Sequence, residues 1–504
     1  MSDSLEREVK LGAWPGFELP DLTDIAEGVT SVPGSRKELD AVYYDTVDLR
    51  LIRSGITVRH RSSGTDDGEW TVKFPDEGDH PEGTLARREI NVDGAGRAMP
   101  ASIEGLVRGY ARSAPLVPVA RLQTLRQSLE LRDRDGRRLG EVDDDEVSVL
   151  SHERIAARFR EVEAEIAPDA PADLLGGLVG RLREAGAGAP DPTPKLVRAL
   201  GPRALAAPEL VASTLDENPT AADVIQAGIT AAVLRVIEHD HVIRLDDDIE
   251  GVHQARVGTR RLRSDLRTFR PLLDESWSEP LRDEIKWLAD ELGAVRDCDV
   301  LMARLQRQIA ELPKEDQAEA MRFVAKLGRD REHVLAELLA ALDTPRYAAL
   351  LDRLVDAARE PRIRRAGARG AHEVVPALVT RPWKKLRKAV DALPAMPSDE
   401  ALHGVRIRAK RARYAADVAV PVVGERAQAF AKALGRLQDV LGEHHDAIVA
   451  ETWLRDAAVG ATRSQSLTAG QLIAVQRGEA VALRDAWPAA WLSASKKGLR
   501  KWLS

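Results

Sequence analysis

The feature that most restricts how this chain can fold is a basic segment that occurs twice, at residues 253–263 and 403–413. In each copy, four basic side chains follow one another at intervals of three, four and three residues. They are His253, Arg256, Arg260 and Arg263 in the first row, and His403, Arg406, Lys410 and Arg413 in the second. On an α-helix these intervals place all four side chains on one face, where like charges repel one another. A solvated surface would explain one such row, but two equivalent rows favour a polyanion bound between them.

The similarity between the two halves continues beyond these basic rows. Residues 292–300 resemble residues 441–449, with Asp297 and Asp446 at equivalent places. Alanine, leucine, arginine and glutamate dominate, with a period near 3.6, so we expect an all-α region of two repeated bundles, about residues 220–345 and 370–500. Each aspartate either forms an internal ion pair or cap, or holds the arginine row for a ligand, and both roles stay open. Prolines predict helix breaks near Pro280, Pro313, Pro345, Pro361, Pro376, Pro394, Pro397 and Pro421.

The composition limits the kinds of protein that this chain can be. With 504 residues, of which 44% are hydrophobic and 31% charged, it is expected to form more than one soluble globular domain. The net charge of −7 gives no general attraction to nucleic acid or anionic lipid, so an anion site must come from local clustering. The single cysteine, Cys298, excludes an intramolecular disulfide and any multi-cysteine metal site. The charged N-terminus and the lack of a long apolar run predict a cytoplasmic protein without a membrane span.

The first part of the chain alternates between charged and other residues, as strands do. Near the N-terminus, Glu6, Glu8 and Lys10 fall on one side of a predicted strand. Later strands carry mainly bases on alternate positions, and the last two carry mainly acids. Many short strands of this kind fit a closed antiparallel barrel with a polar interior. Carboxylates bind hard cations such as Mg²⁺ and a basic wall binds phosphate oxygens, and phosphoryl chemistry needs both.

These strand motifs resemble a CYTH domain, also called a triphosphate tunnel metalloenzyme, over about residues 1–203. The resemblance rests on Glu6-x-Glu8-x-Lys10, Tyr43-Tyr-Asp-Thr46, Arg59 with Arg61, Lys73, Arg87-x-Glu89, Arg126, Glu161-x-Glu163-x-Glu165 and Pro194-Lys195-Leu196. It implies that Glu6, Glu8, Glu161 and Glu163 hold a divalent metal, Mg²⁺ or Mn²⁺, assisted by Glu165 or Asp145. It assigns the phosphate chain to Lys10, Arg59, Arg61, Lys73, Arg87, Arg126 and Lys195, with Lys10, Glu6 and Glu8 as the catalytic set. Whether Asp143 or Asp145 takes the acidic position of the family stays open, and His60, on the opposite face, is read as structural.

After an expected linker at residues 204–217, residues 218–504 resemble a CHAD domain. The resemblance rests on the two His-x₂-Arg rows, Arg296-Asp297-x-Asp299, Lys410-Arg411-x-Arg413-Tyr414 and Gln438-Asp-x-Leu-Gly-x-His444-x-Asp446. It implies binding of inorganic polyphosphate by His253, Arg256, Arg260, Arg261, Arg263, Arg296, His403, Arg406, Lys410, Arg411, Arg413 and His444. Asp417 and His445 depart from the glutamate and asparagine expected there, but neither removes a cation. Metal binding by the histidines is disfavoured, because arginines surround them.

Together these motifs predict an α+β protein, a β-tunnel with a polar interior followed by a helical domain. The expected function is metal-dependent hydrolysis of inorganic triphosphate or related triphosphates, with polyphosphate bound by the helical domain and a possible association with polyphosphate granules. Two alternatives remain open: a polyphosphate-binding or granule-associated protein without turnover, and a CYTH-type adenylate cyclase. Specific nucleic-acid binding is not expected, since aromatic residues for base stacking make up only 4% of the chain.

Overall fold

The computed structural model describes residues 2–64, 68–76, 78, 83–93, 96, 98–167, 169–171 and 173–503. They form two compact units, Met1–Glu209 and Leu210–Ser504. The first unit is a β-barrel and the second is helical, which confirms the α+β fold class. Within the described residues, no helix is long and apolar enough to cross a membrane.

The first unit is built on nine antiparallel strands. They are β1 (Ser2–Gly12), β2 (Thr30–Pro33), β3 (Lys37–Asp45), β4 (Thr57–Ser62), β5 (Glu69–Pro75), β6 (Leu85–Asp93), β7 (Val117–Arg132), β8 (Arg138–Ser151) and β9 (Arg154–Ile166). Their order is β2-β7-β3-β4-β5-β6-β1-β9-β8, and β8 also pairs with β7. This last pairing closes eight of the strands into a barrel, while β2 adds to the edge of the long strand β7.

Five short helices accompany the barrel: α1 (Arg50–Arg53), α2 (Ala101–Leu106), α3 (Arg108–Ala111), α4 (Leu174–Glu184) and α5 (Lys195–Leu200). Successive strand residues face opposite sides, and on β1 the apolar Val9 and Leu11 face outward. They pack in one core with Leu174, Leu178 and Leu182 of α4. This apolar contact on the outer face leaves the charged side chains of the same strand directed into the barrel.

Helix α5 packs against the barrel through two apolar side chains. Leu196 and Val197 are buried in a cluster with Tyr43 of β3 and Val147 of β8. The helix follows Pro194, which cannot donate a backbone hydrogen bond, and stops at Gly201, whose φ of 66° lies in the left-handed region. Lys195 is the first residue of this helix, and its amine lies next to the charged interior of the barrel.

The second unit is made of α-helices, most of which are long. They are α6 (Ala221–Glu238), α7 (Asp240–Leu245), α8 (Glu250–Thr268), α9 (Glu275–Ile309), α10 (Lys314–Leu342), α11 (Pro345–Arg359), α12 (Ala371–Asp391), α13 (Asp399–Val423), α14 (Glu425–Ala457) and α15 (Arg463–Ala494). The basic rows lie on α8 and α13, and the two repeated aspartates lie on α9 and α14. Capping boxes begin α6 at Thr220 and α15 at Thr462.

The predicted proline breaks are partly wrong. Pro313 and Pro345 do stand at helix starts, but Pro280, Pro376 and Pro421 lie inside helices. Each of these three is close to a helix end. A proline there removes one backbone hydrogen bond, and the buried apolar residues of the same helix hold the rest of it in place.

Candidate functional site

Three neighbouring strands of the barrel bring carboxylates together in rows. Across β1, β9 and β8, Glu8 lies opposite Glu165, and Glu165 lies opposite Glu141. In the next two rows, Lys10, Glu163 and Asp143 are neighbours, followed by Gly12, Glu161 and Asp145. Carboxylates directly opposite one another repel unless cations lie between them. The predicted acids of β1, β8 and β9 therefore form one acidic wall.

Two lysines neutralise the centre of this wall. The Nζ of Lys195 lies 2.6 Å from Glu163, 2.8 Å from Glu161 and 3.0 Å from Asp145. Lys10 forms an ion pair with Glu163 and lies 3.2 Å from Glu8. Burial would raise the pKa of Glu163, but Lys10, Lys195 and Arg126 hold that pKa well below its usual value. The carboxylate of Glu163 is thus kept ionised in a buried place.

The basic side chains form the opposite wall. It consists of Arg59 and Arg61 on β4, Lys73 on β5 and Arg87 on β6. All four side chains are buried or partly buried, and Arg87 lies opposite Glu6 of β1. Lys73 is bonded to Glu6. The pKa of the Arg61 guanidinium falls to about 10, first because of the charge of Arg59 and then because of burial and Arg126. These arginines are close enough to repel one another, which an anion between them would relieve.

Arg126 on β7 joins the two walls. Its Nε and Nη2 bind the two oxygens of Asp145 at 2.8 and 2.6 Å, and Nη2 also lies 3.1 Å from Glu163. Asp145 is fully buried beside Arg126 and Lys195, whereas Asp143 accepts a hydrogen bond from Ser128 at 2.5 Å and also pairs with Arg126. Burial raises the pKa of Asp143 to about 6. Both aspartates face the interior, so both remain candidates for the acidic position.

The acidic wall fits a divalent metal by the chemistry of its donors. Burial, and then the charges of Glu6 and Glu8, raise the pKa of Glu165 to about 7, and a bound cation would relieve that repulsion. Carboxylate oxygens are the ligands that Mg²⁺ and Mn²⁺ prefer. In the described part of the chain, no three acidic, histidine or cysteine side chains are arranged to hold a metal ion. Lys10, Lys73 and Lys195 form ion pairs with other carboxylates of this interior, among them Glu6, Glu8, Glu161, Glu163 and Asp145.

Sequence reasoning left two interior residues out of the site. Glu89 on β6 lies 2.6 Å from Lys73 and 4.0 Å from Arg59, and despite its burial these cations lower its pKa to about 2. Its place two residues after Arg87, on the same strand face, was the signal that could have identified it. Tyr43 lies opposite Arg59 on the neighbouring strand and raises the pKa of that guanidinium. Only the strand pairing brings these two side chains together.

In the helical unit, the two basic rows lie side by side. The guanidinium of Arg260 on α8 is 5.6 Å from the ring of Tyr414 on α13, and that of Arg413 is 6.0 Å from it. The pKa of Lys410 falls to about 8 because of burial and the charges of Arg260, Arg406, Arg256 and Arg263. Three of these four arginines belong to the other row, so the charges of both rows lower the pKa of Lys410.

Several cations of these rows have no acidic partner. Among the described residues, no carboxylate lies within the 4.0 Å ion-pair distance of Arg260, Arg263, Arg296 or Lys410. Arg296 of α9 adds its charge beside His253, and Arg411 lies beside Arg267. These arginines lie close together without carboxylate partners among the described residues, so they produce a local positive field. The net charge of −7, which is summed over the whole chain, does not reveal this field.

A pair of glycines shows that the repeat extends to side-chain packing. Gly293 on α9 lies against Arg256, whose Nε is 3.8 Å from the position of a glycine Cβ, and Gly442 on α14 lies against Arg406 at 3.6 Å. The aspartates face the same arginines. Asp297 is 3.4 Å from Arg256, and the charge of Arg406 acts on Asp446. Each aspartate thus lies beside the row arginine of its own half.

His444 and Arg261, which belong to the predicted polyphosphate set, each contact a carboxylate. Adjacent helical residues point about 100° apart, and His444 is buried with its Nε2 3.2 Å from Asp399. The neighbouring His445 instead contacts His403, with 3.2 Å between their Nδ1 atoms. Arg261 is bonded to the buried Asp265 at 2.9 Å. The structure therefore places His445, and not His444, beside the second row.

Comparison with known proteins agrees with these two units. The CYTH domain model matches residues 4–179 and the CHAD domain model residues 227–455. Proteins Rv2226 and MT2285 of Mycobacterium tuberculosis are each 32% identical to the chain over 487 residues, covering 91% of this chain and 89% of theirs.

Solved structures show more limited similarity. PptA from Streptomyces chartreusis is 25% identical, covers 54% of this chain and 99% of its own, and has a TM-score of 0.45. The CHAD domain from Ricinus communis is also 25% identical and covers 57% of this chain and 96% of its own, with the same TM-score. CYTH domains belong to the triphosphate tunnel metalloenzyme superfamily, which includes triphosphatases and cyclases, and they generally depend on a divalent metal. Because the sequence identity to the mycobacterial proteins extends over 91% of the chain and both domain models match, the chain belongs to the family in which a CYTH domain precedes a CHAD domain.

Proposed function

We propose that the barrel hydrolyses inorganic triphosphate or related triphosphates with Mg²⁺ or Mn²⁺, and that the helical unit binds inorganic polyphosphate. The observation that carries this proposal is the division of one barrel interior into an acidic wall on β1, β8 and β9 and a basic wall on β4 to β7. A pure anion site gains nothing from carboxylates beside phosphate. A site for both a metal and a phosphate chain needs the two walls together.

The ion pairs of the interior support an exchange of partners on substrate binding. Lys10, Lys73 and Lys195 bind carboxylates in this structure. The oxygens of a triphosphate carry more negative charge than a carboxylate, so they can replace the carboxylates as partners of these lysines. They can also bind Arg59, Arg61, Arg87 and Arg126. The released carboxylates are then able to bind a cation. Glu6, Glu8, Glu161 and Glu163 would hold the metal, assisted by Glu165 or Asp145, and the metal would polarise the phosphate. The arginines stabilise the negative charge that develops when a water oxygen replaces the bridging oxygen at phosphorus.

The helical unit suits a phosphate polymer without bases. In the described part of the chain, Arg260 and Arg263 of the rows have no carboxylate within 4.0 Å. The aromatic ring that lies against the row arginines is that of Tyr414, so charge and not base stacking provides the attraction. The rows lie side by side on α8 and α13, and a flexible chain of phosphates can contact both. Displacement of labelled polyphosphate by tRNA or DNA as readily as by unlabelled polyphosphate would contradict this assignment.

A phosphate-release assay with purified protein, tripolyphosphate and Mg²⁺ tests the enzymatic proposal. We expect orthophosphate release that depends on the metal, and we expect Glu6→Gln with Glu8→Gln to abolish it while polyphosphate binding stays unchanged. Glu146→Gln is the matched control, because Glu146 is an exposed glutamate of β8. Tight polyphosphate binding without any release would leave a binding protein without turnover. Cyclic AMP together with pyrophosphate from ATP would indicate a cyclase. Loss of both phosphate release and polyphosphate binding in the double variant would mean that the two units have been assigned wrongly.

A further inference from the structure

A cavity of about 710 Å³ lies next to the basic rows, between α6, α8 and α13. Ala227 and Ala231 of α6, Val257 of α8, and Val418 and Pro421 of α13 form its apolar walls. Its volume falls in the range of pockets that bind small organic molecules, and such pockets combine apolar walls with a few polar groups. A bare phosphate polymer has no use for the apolar walls.

Two buried polar groups line the cavity without hydrogen-bond partners among the described residues. The hydroxyl of Tyr414 and the Oδ1 atom of Asp265 both lack a partner, and these side chains are 8% and 1% exposed. The other oxygen of Asp265 accepts a hydrogen bond from Arg261 at 2.9 Å. Buried polar groups normally have partners, so these two mark places where a ligand can supply a donor and an acceptor.

The cavity also has a cationic end. Arg260 and Arg413 line it and belong to the two basic rows, and their guanidiniums lie 5.6 and 6.0 Å from the ring of Tyr414. No carboxylate of the described residues lies within 4.0 Å of Arg260, and Arg413 has only Asp417, at 3.8 Å. A ligand in the cavity can therefore extend an anionic group onto these arginines.

We propose that this cavity binds a purine nucleotide, with its base between the apolar walls and its phosphates on Arg260 and Arg413. The unpartnered oxygen of Asp265 accepts hydrogen bonds from ring and amino N–H groups, and the Tyr414 hydroxyl donates to an acceptor atom of the base. Guanine fits better than adenine, because its adjacent ring and amino N–H groups can both donate to this one oxygen, whereas adenine presents only its amino group as a donor on that edge. Binding of the phosphates to Arg260 and Arg413 rests on the function proposed above for the basic rows. Binding of the base in the cavity does not depend on that function.

Isothermal titration of the full-length protein with GDP, ADP and pyrophosphate at one ionic strength tests the proposal. We expect GDP to bind at least tenfold more tightly than pyrophosphate, with ADP between them. Ala231→Trp fills the cavity from its exposed rim and should reduce GDP binding to the level of pyrophosphate. Ala325→Trp, the same change at an exposed position of α10, is the matched control and should bind GDP like the native protein.

Tyr414→Phe provides a second variant that keeps the aromatic ring and removes only the hydroxyl. It should weaken GDP binding severalfold and leave pyrophosphate binding unchanged, and it decides the matter if Ala231→Trp does not fold. GDP that binds no better than pyrophosphate, or that binds equally to the native protein and the cavity variants, overturns the proposal. Long-chain polyphosphate binding separates the two proposals. If Ala231→Trp loses GDP and keeps polyphosphate, both stand, and if the native protein binds GDP but not polyphosphate, only the function proposed for the rows fails.

Discussion

The protonation of Lys410 depends on the arginines of both basic rows. It lies partly buried among arginines of both helices, and burial together with Arg260, Arg406 and Arg256 lowers its pKa to about 8. In the free protein this lysine therefore loses its proton at a lower pH than an exposed lysine does. A polyanion between the rows would reverse the effect, because a negative charge nearby favours protonation.

This pKa predicts a pH dependence of polyphosphate binding. Affinity should fall as the pH rises through about 8, because Lys410 then loses its proton, and Lys410→Arg should remove that step. The sign for folding is the opposite. Between about pH 8 and pH 10.5 the unfolded chain holds more protons at this lysine than the folded chain does, so this group makes stability rise with pH.

Fluorescence anisotropy with labelled polyphosphate from pH 7 to 9.5 measures the dependence at constant ionic strength. An identical decline in the native protein and in Lys410→Arg would show that another group is responsible. The neighbouring His445 does not add a charge at neutral pH, since burial first and then His403 and Arg406 lower its pKa to about 4.

At the scale of helices, two repeated glycines lie against the row arginines. Gly293 and Gly442 occupy equivalent places on α9 and α14, each beside the arginine of the facing helix. Their lack of a side chain leaves room for a guanidinium along the helix surface. Glycine in a helix interior is unfavourable by about 1 kcal/mol relative to alanine, so its presence at both places agrees with a packing requirement.

Replacing either glycine by leucine should displace its arginine. We expect Gly442→Leu and Gly293→Leu each to weaken polyphosphate binding about tenfold, the effect of losing one charge-assisted contact with phosphate. Gly470→Leu is the control, because an added Cβ there meets open space on the exposed side of α15. It should leave affinity unchanged and slightly raise the melting temperature. Equal affinities for all three variants and the native protein would exclude a positioning role for the two glycines.

At the scale of the whole molecule, each unit contains its own core and its own candidate site. The acidic and basic walls lie within Met1–Glu209, and both basic rows lie within Leu210–Ser504. The net charge of −7 is thus an average over a chain with separate local fields. Domains with their own cores can in principle fold alone.

Separate expression of residues 1–209 and 210–504 tests this independence. The first fragment should retain metal-dependent phosphate release, and the second should retain polyphosphate binding with a strong dependence on salt, because ionic contacts dominate it. Circular dichroism establishes that each fragment is folded. A folded first fragment without phosphate release would show that the barrel needs the helical unit for turnover.

The sequence by itself determined which residues share a face. Alternation along a strand and steps of three or four along a helix follow from backbone geometry alone. They were enough for the polar barrel interior, the acidic and basic strands, and the two basic rows. The same rule also explains why His444 and His445 separate, although the prediction chose the residue that proved to be buried.

Only the tertiary structure decided which charged groups meet. Lys195 lies on a short helix distant in sequence from Glu161, and the packing of Leu196 and Val197 brings its amine to the acidic wall. Strand register brings Tyr43 to Arg59, and Lys73 to Glu89. Helix packing likewise encloses the cavity of Asp265 and Tyr414. The physical reason is that local spacing fixes the direction of a side chain, whereas its partner depends on contacts between segments far apart in the chain.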